Sequence, residues 1–200
     1  MKRLLLVVVL SMSTIFAFST EPHIVHTPVN VESSVVKWVG SKVASSHEGN
    51  VSILKGSLAI DHGKLVGGEF AIDMNSISCS DIESERKNKY LVDHLKDEDF
   101  FNTKVFPLAE LVIIKVFKQD GSESLYSIVA NLTIKGITHP ISFTANVPIA
   151  GKDFEASANI KIDRTKWDIK YKSGNFFKDL GDKAILDEII FDVYLTSVEQ

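Results

Sequence analysis

Cysteine is nearly absent: Cys79 stands alone in 200 residues. One thiol cannot form an internal disulfide, so the fold must stand on packing even in an oxidising compartment. A basic cluster is missing too. The 22 Lys and Arg are set against 26 Asp and Glu, a formal charge of −4, which suits neither nucleic acid nor an anionic membrane surface. There is no G-x-S-x-G, C-x-x-C, Walker loop or G-x-G-x-x-G, so acyl-transfer, redox and nucleotide chemistry lack their usual sequence signals. The six histidines never fall at H-x-H or helical i, i+4 spacing, and Ser, His and Asp occur without a motif, so neither a metal site nor a triad is expected.

Apolar runs of membrane-spanning length are also lacking. The longest opens the chain, "MKRLLLVVVLSMSTIFAFST". Lys2 and Arg3 form a charged start, Leu4 to Leu10 an apolar stretch, and Ala17 and Ser19 occupy small-residue cleavage positions. Ser11, Ser13 and Thr14 interrupt the run, leaving it short of the roughly 20 residues a span needs. Residues 1–19 therefore read as a signal peptide, and the expected location is periplasmic or secreted. Removing Lys2 and Arg3 takes the charge from −4 to −6. Residues 20–32, with Pro22 and Pro28, read as a lead-in without regular structure, and residues 33–200 as one domain.

What the chain has in abundance is two-residue alternation. Ile128, Ala130, Leu132 and Ile134 share one face, as do Ile141, Phe143, Ala145, Val147 and Ile149. Phe154, Ala156, Ala158, Ile160 and Ile162 repeat the pattern, and Ile189, Phe191, Val193 and Leu195 close it. Turn signals at 120–122, 135–136 and 151–153 separate these runs. Similar segments at 35–43, 50–60, 64–74 and 108–118 bring the total to about eight antiparallel strands, each half-buried and unusually long. Such strands can close into a barrel, which removes the sheet edges, or stack as a two-sheet sandwich. Gly67-Gly68, inside an apparent strand, implies a bend or bulge.

One helical segment interrupts the strands. Ser80-Asp81-Ile82-Glu83 has capping-box spacing, and good helix formers continue to Lys96. "HLKDEDFFNTKVFPLAEL" follows, with Asp97, Glu98 and Asp99 reading as a solvated helix start. Phe100 and Phe101 are bulky rings in so polar a stretch that something must cover them, and Pro107 marks entry to the next strand.

Six blocks then carry a resemblance. "SSVVKWVGSKVASSHEGNVSILKGSLAID", "LVGGEFAIDMNSI", "HLKDEDFFNTKVFPLAEL", "NLTIKGITHPISF", "IDRTKWDIKY" and "LGDKAILDEIIFDVYL" stand in order over residues 30–198. Together they resemble the YceI-like family of exported, lipocalin-like barrels that bind polyisoprenoid and other long apolar chains. Asp168 departs from that pattern, standing where the family commonly has glycine, and "CSDIESERKNKY" is more charged than expected. The resemblance implies an all-β, eight-stranded antiparallel lipocalin-like barrel, with one or two short helices near residues 81–101. It also implies a lumen holding one lipid-like chain (polyisoprenoid, isoprenoid quinone or fatty acid derivative), without cofactor, metal or catalytic residues. Inward parity in the matching blocks puts Trp38, Phe70, Phe143, Trp167 and Phe191 on the lumen wall, with Phe100 and Phe101 near its mouth. His47 and Arg164 are expected as polar groups near a barrel end. The protein would not be integral to a membrane, and a dimer is the oligomer to test for. Two other readings stay open: an enzyme acting on an apolar substrate in the same cavity, and a solid-core interaction module.

Overall fold

The computed structural model describes residues 23–198. The expected signal peptide lies outside them. Within them the alternating runs become strands. β1 is Ile24–Pro28, β2 Val35–Lys42, β3 Ser46–Asp61, β4 Lys64–Asp73 and β5 Leu108–Lys118. β6 is Leu125–Ile134, β7 Ile137–Asn146, β8 Ile149–Ala150, β9 Asp153–Asp163 and β10 Ile185–Thr196. The single α-helix among the described residues, α1, covers Glu85–Lys96. On β6 the pattern is cleanest, with Tyr126, Ile128, Ala130, Leu132 and Ile134 all buried.

Eight strands pair antiparallel in the order β3-β2-β10-β9-β7-β6-β5-β4, and β4 returns to β3. The sheet is therefore closed, which decides for the barrel over the sandwich. β3 has 16 residues because it serves several neighbours. On one edge it pairs β2 through Ser46–Val51 and β1 through Ser57–Asp61; β4 runs along the other from Ser52. Beyond Ser52 the amides of Ser78 and Ser80 donate to the carbonyls of Asn50 and Glu48, both at 2.9 Å. That crossing explains a glycine: a Cβ on Gly49 would lie 1.8 Å from the Ser78 carbonyl oxygen.

Four local expectations need correction or confirmation. The lead-in is not irregular: β1 docks on β3 and buries Thr27 to 2% exposure. Pro28 is tolerated because it ends that strand, which has one neighbour only. The Gly67-Gly68 bulge is present, with Ala59 opposite Gly67 but Ile60 opposite Leu65. A Cβ on Gly68 would come within 2.9 Å of Leu58 and of the Ser57 carbonyl. The helix starts later than its capping box suggests, at Glu85, with Ser84 as N-cap and no side-chain cap bond. Asp81 is engaged elsewhere, accepting from the Glu48 amide at 3.1 Å and pairing with His47 Nδ1 at 2.9 Å. Lastly, Asp97–Asp99 do not start a helix. Asp97 is the C-cap of α1 and its carbonyl accepts from the amides of Phe100 and Asn102. This tight return turns both phenylalanines inward.

Candidate ligand-binding lumen

Buried residues form two clusters, one at each end of the barrel. At the helix end, Trp38, Leu95, Phe100, Phe101, Ile134 and Trp167 pack together with their neighbours. At the far end, Leu58, Leu65, Tyr126, Val147, Phe154 and Leu195 do the same. Between them, Val36, Leu111, Ile141, Phe143, Ala158 and Val193 touch both clusters yet are only half-buried. A solid core would be most buried at its middle. Here the middle is the least buried part, because the inward side chains face a cavity of about 200 Å³.

The cavity runs most of the barrel's length. On β6 it is lined from Ile128 to Ile134, six steps or about 20 Å of strand, which is about 15 Å along the axis of a tilted barrel. Its wall is almost wholly apolar. Six of the seven residues expected on it line it: Trp38, Phe70, Phe100, Phe101, Phe143 and Phe191. They divide by depth. Phe70, Phe143 and Phe191 are half-buried and face open space at mid-barrel, whereas Trp38, Phe100 and Phe101 are buried in the helix-end plug. Phe70 is held by its cross-strand partner Gly56, where a Cβ would lie 2.5 Å from the ring.

Trp167, expected on the wall, does not line the cavity. β9 ends at Asp163 and a 3-10 turn, Arg164–Trp167, follows, so strand parity no longer applies. The indole instead donates Nε1–H to the Leu132 carbonyl at 3.1 Å and meets the His139 ring edge-on. It seals the helix end where β7 and β9 separate. Those strands pair only at Ala145–Ala158 and Asn146–Ser157. Asp168, the departure from the family's glycine, adopts a left-handed conformation with φ 59°, which is the geometry glycine adopts without cost. Lys170 pairs with its carboxylate at 2.6 Å and holds its pKa below the usual range.

The polar groups near the lumen are engaged in structure. Arg164, 1% exposed, lines the helix end. It donates to the carbonyls of Leu186, Ile169 and Ile185 and pairs with Asp187 at 3.2 Å. Burial pushes the guanidinium pKa down, opposed by Asp187 and Asp163. His47 lies outside the wall and pairs with Asp81. Burial pushes the Asp81 carboxyl up, but bonds from His47, the Glu48 amide and Cys79 outweigh it and bring its pKa to about 2. Cys79 is pushed up, by burial first and then by Asp81, so its thiol is a poor nucleophile. His139 Nε2 lies 3.0 Å from the Lys166 carbonyl oxygen. Among the described residues no three His, Cys, Asp or Glu side chains converge to hold a metal, and no helix is long and apolar enough to cross a membrane.

The residues missed from sequence are aliphatic. Val36, Leu111, Ile113, Ile141 and Val193 line the middle of the cavity, and Leu95 comes from α1. Ile141 and Val193 share parity with Phe143 and Phe191, so the alternation already contained that signal.

A family model described as "YceI-like domain" matches residues 27–196. The chain belongs to the YceI-like family. Relatives include UPF0312 proteins of Photorhabdus laumondii, 32% identical over 108 residues, and of Yersinia enterocolitica, 27% identical over 153. The matched region is 50% of both chains in the first case; in the second it is 72% of this chain and 71% of the relative. Among solved structures, BcnA of Burkholderia cenocepacia superposes with a TM-score of 0.67 at 21% identity, covering 85% of this chain and 99% of BcnA. A polyisoprenoid binding domain of Saccharophagus degradans, implicated in plant cell wall breakdown, gives 0.63 at 14% identity, covering 90% and 100%. At these identities the likeness speaks for the YceI-like barrel fold.

Proposed function

We propose that this YceI-like protein is an exported carrier that holds one long apolar chain, an isoprenoid or fatty chain, in its lumen. The observation that carries the reading is the inverted burial: accessible apolar walls at mid-barrel between two more tightly packed ends. Family membership and the likeness to a polyisoprenoid binding domain support it. Burying about ten methylenes at ~0.8 kcal/mol each contributes roughly 8 kcal/mol before ordering costs, on the scale of micromolar binding. A wall with so few free polar groups selects chain over head group, which suits carriage better than catalysis. Export is supported by the charged start and apolar run of residues 1–19.

Native mass spectrometry of the protein purified from its host, before and after organic extraction, tests the reading. The expected result is an adduct of lipid mass that extraction removes. A protein that arrives empty and takes up no polyprenol, isoprenoid quinone or fatty amide overturns it.

A further inference from the structure

The loop between the 3-10 turn and β10 carries apolar and cationic side chains that the lumen does not use. Its base is fixed. Ser173, fully buried, bridges Ile185, and the Ile185 amide donates to the Lys172 carbonyl at 2.9 Å. Asp187 accepts from Ser173 Oγ at 2.9 Å and from Asn175 Nδ2 at 2.6 Å. From that base the tip stands out into solvent. The amides of Phe176 and Phe177 donate back to the Ser173 carbonyl, which fixes the backbone, while both rings stay exposed at 53% and 49%. Adjacent exposed phenylalanines are costly in water, and among the described residues no apolar side chain buries them.

Charge is concentrated in the same place. Residues 168–178 hold Lys170, Lys172 and Lys178 against one acid, Asp168, which pairs with Lys170 at 2.6 Å, leaving a local +2 in a chain of net −4. Asp179 and Asp182 follow, with Lys183 beyond them. The whole-chain charge argued against an anionic surface; it concealed this stretch. Lys170 Nζ lies 5.2 Å from the Phe176 ring centre, so cation and ring face the same side.

The loop also adjoins the lumen. One leg carries Tyr171, packed on Phe100 in the lumen's plug; the other carries Ile185 and Leu186 of the lumen wall. There β10 and β2 lose register: four steps along β10, Ile185 to Ile189, match two along β2, Lys42 to Gly40. Leu186 is 47% exposed although it lines the cavity. We propose that the Phe176–Phe177 tip and its lysines form a docking surface for an anionic lipid bilayer, seating the helix end of the barrel on the membrane. Aromatic rings enter the interface and lysines meet the lipid head groups, the usual composition of peripheral anchors. The inference rests on the carrier reading for the purpose of docking, but not for the docking itself.

Vesicle flotation with the delipidated protein lacking residues 1–19 tests it, using phosphatidylcholine vesicles with and without phosphatidylglycerol and with no prenol present. Binding to the anionic vesicles is expected, weakened by salt. Replacing both rings, Phe176→Ser with Phe177→Ser, should lower partitioning roughly thirtyfold, and Lys178→Gln about fivefold. A second readout is Phe177→Trp. The native Trp38 and Trp167 are buried, so a blue shift on adding vesicles reports the tip alone. No flotation, flotation indifferent to the Phe pair, or no shift overturns the proposal. So does a Phe-pair variant that changes oligomeric state while vesicle binding stays intact, since the tip would then face a second copy. Lumen filling is measured separately, by polyprenol uptake from detergent without vesicles, so failure of docking and failure of carriage are told apart.

Discussion

The two ends of the barrel are closed by different means. At the far end the seal is made mostly by the strands themselves: Leu58 of β3, Leu65 of β4, Tyr126 of β6, Phe154 of β9 and Leu195 of β10. None can withdraw without disturbing a hydrogen-bonded ladder. At the helix end much of the seal is inserted from outside the ladders: Leu95 from α1, Phe100 and Phe101 from the turn after it, Trp167 from a 3-10 turn. These can move while every strand stays paired. A closed barrel therefore has a floor that is part of its frame and a stopper that is not, and on the proposed carrier reading cargo would exchange past the stopper.

The sharpest way to break this comparison is truncation at each level. Phe154→Ala at the floor is expected to cost about 3–5 kcal/mol in urea unfolding, as a buried ring lost from close packing does, with exchange of bound lipid little changed. Phe100→Ala in the stopper should cost less, about 2–3 kcal/mol, and accelerate lipid release at least tenfold in a stopped-flow transfer assay. Equal stability losses without faster release would erase the distinction. Phe143→Ala at mid-barrel should cost only about 1 kcal/mol, because its ring already faces open space. Phe143→Asp is the telling partner: a charge in an apolar lumen should abolish lipid retention in extraction experiments.

Two smaller effects sharpen the helix end. Asp81 anchors the segment before α1 and titrates at about 2 rather than the ordinary 3.8. A depressed folded-state pKa stabilises the fold above the unfolded value, and the contribution is lost as pH falls from about 4 towards 2. A loss of about 1 kcal/mol across that window is expected for a solvent-screened group, and it should vanish in Asp81→Asn when unfolding is followed against pH. Asp168→Gly relieves a left-handed non-glycine residue and should change stability by less than about 1 kcal/mol, as a gain, provided the lost Lys170 pair is as weak as exposed pairs are. A rise in melting temperature checks it.

Most of the barrel was legible because its physics is local and periodic. A half-buried strand writes its burial into every second residue, and β5 matches its expected bounds, Leu108–Lys118. What escaped depended on distant partners. β1 forms because β3 is long enough to accept it, which Pro22 and Pro28 do not reveal. The capping box failed because the amide and hydroxyl of Ser80 both donate to the carbonyl of Glu48, more than 30 residues away, while His47 and the Glu48 amide hold Asp81. Trp167 was misplaced because parity was extended past the end of β9. The lumen-facing rings of Phe70, Phe143 and Phe191 were legible, since they sit on unbroken ladders; that they face space rather than neighbours was not, because alternation records sidedness and not the volume enclosed.

Both tryptophans sit at the helix end with their indoles tied to the backbone, Trp38 to the Ser78 carbonyl at 3.0 Å and Trp167 to that of Leu132 at 3.1 Å. Trp38 borders the cavity and Trp167 does not. Intrinsic emission thus comes from one sensing and one reference fluorophore at the same end. Cargo arrival should alter the Trp38 component alone, and Trp38→Phe should leave a silent protein that still binds. The stopper carries its own optical gauge, readable without any label.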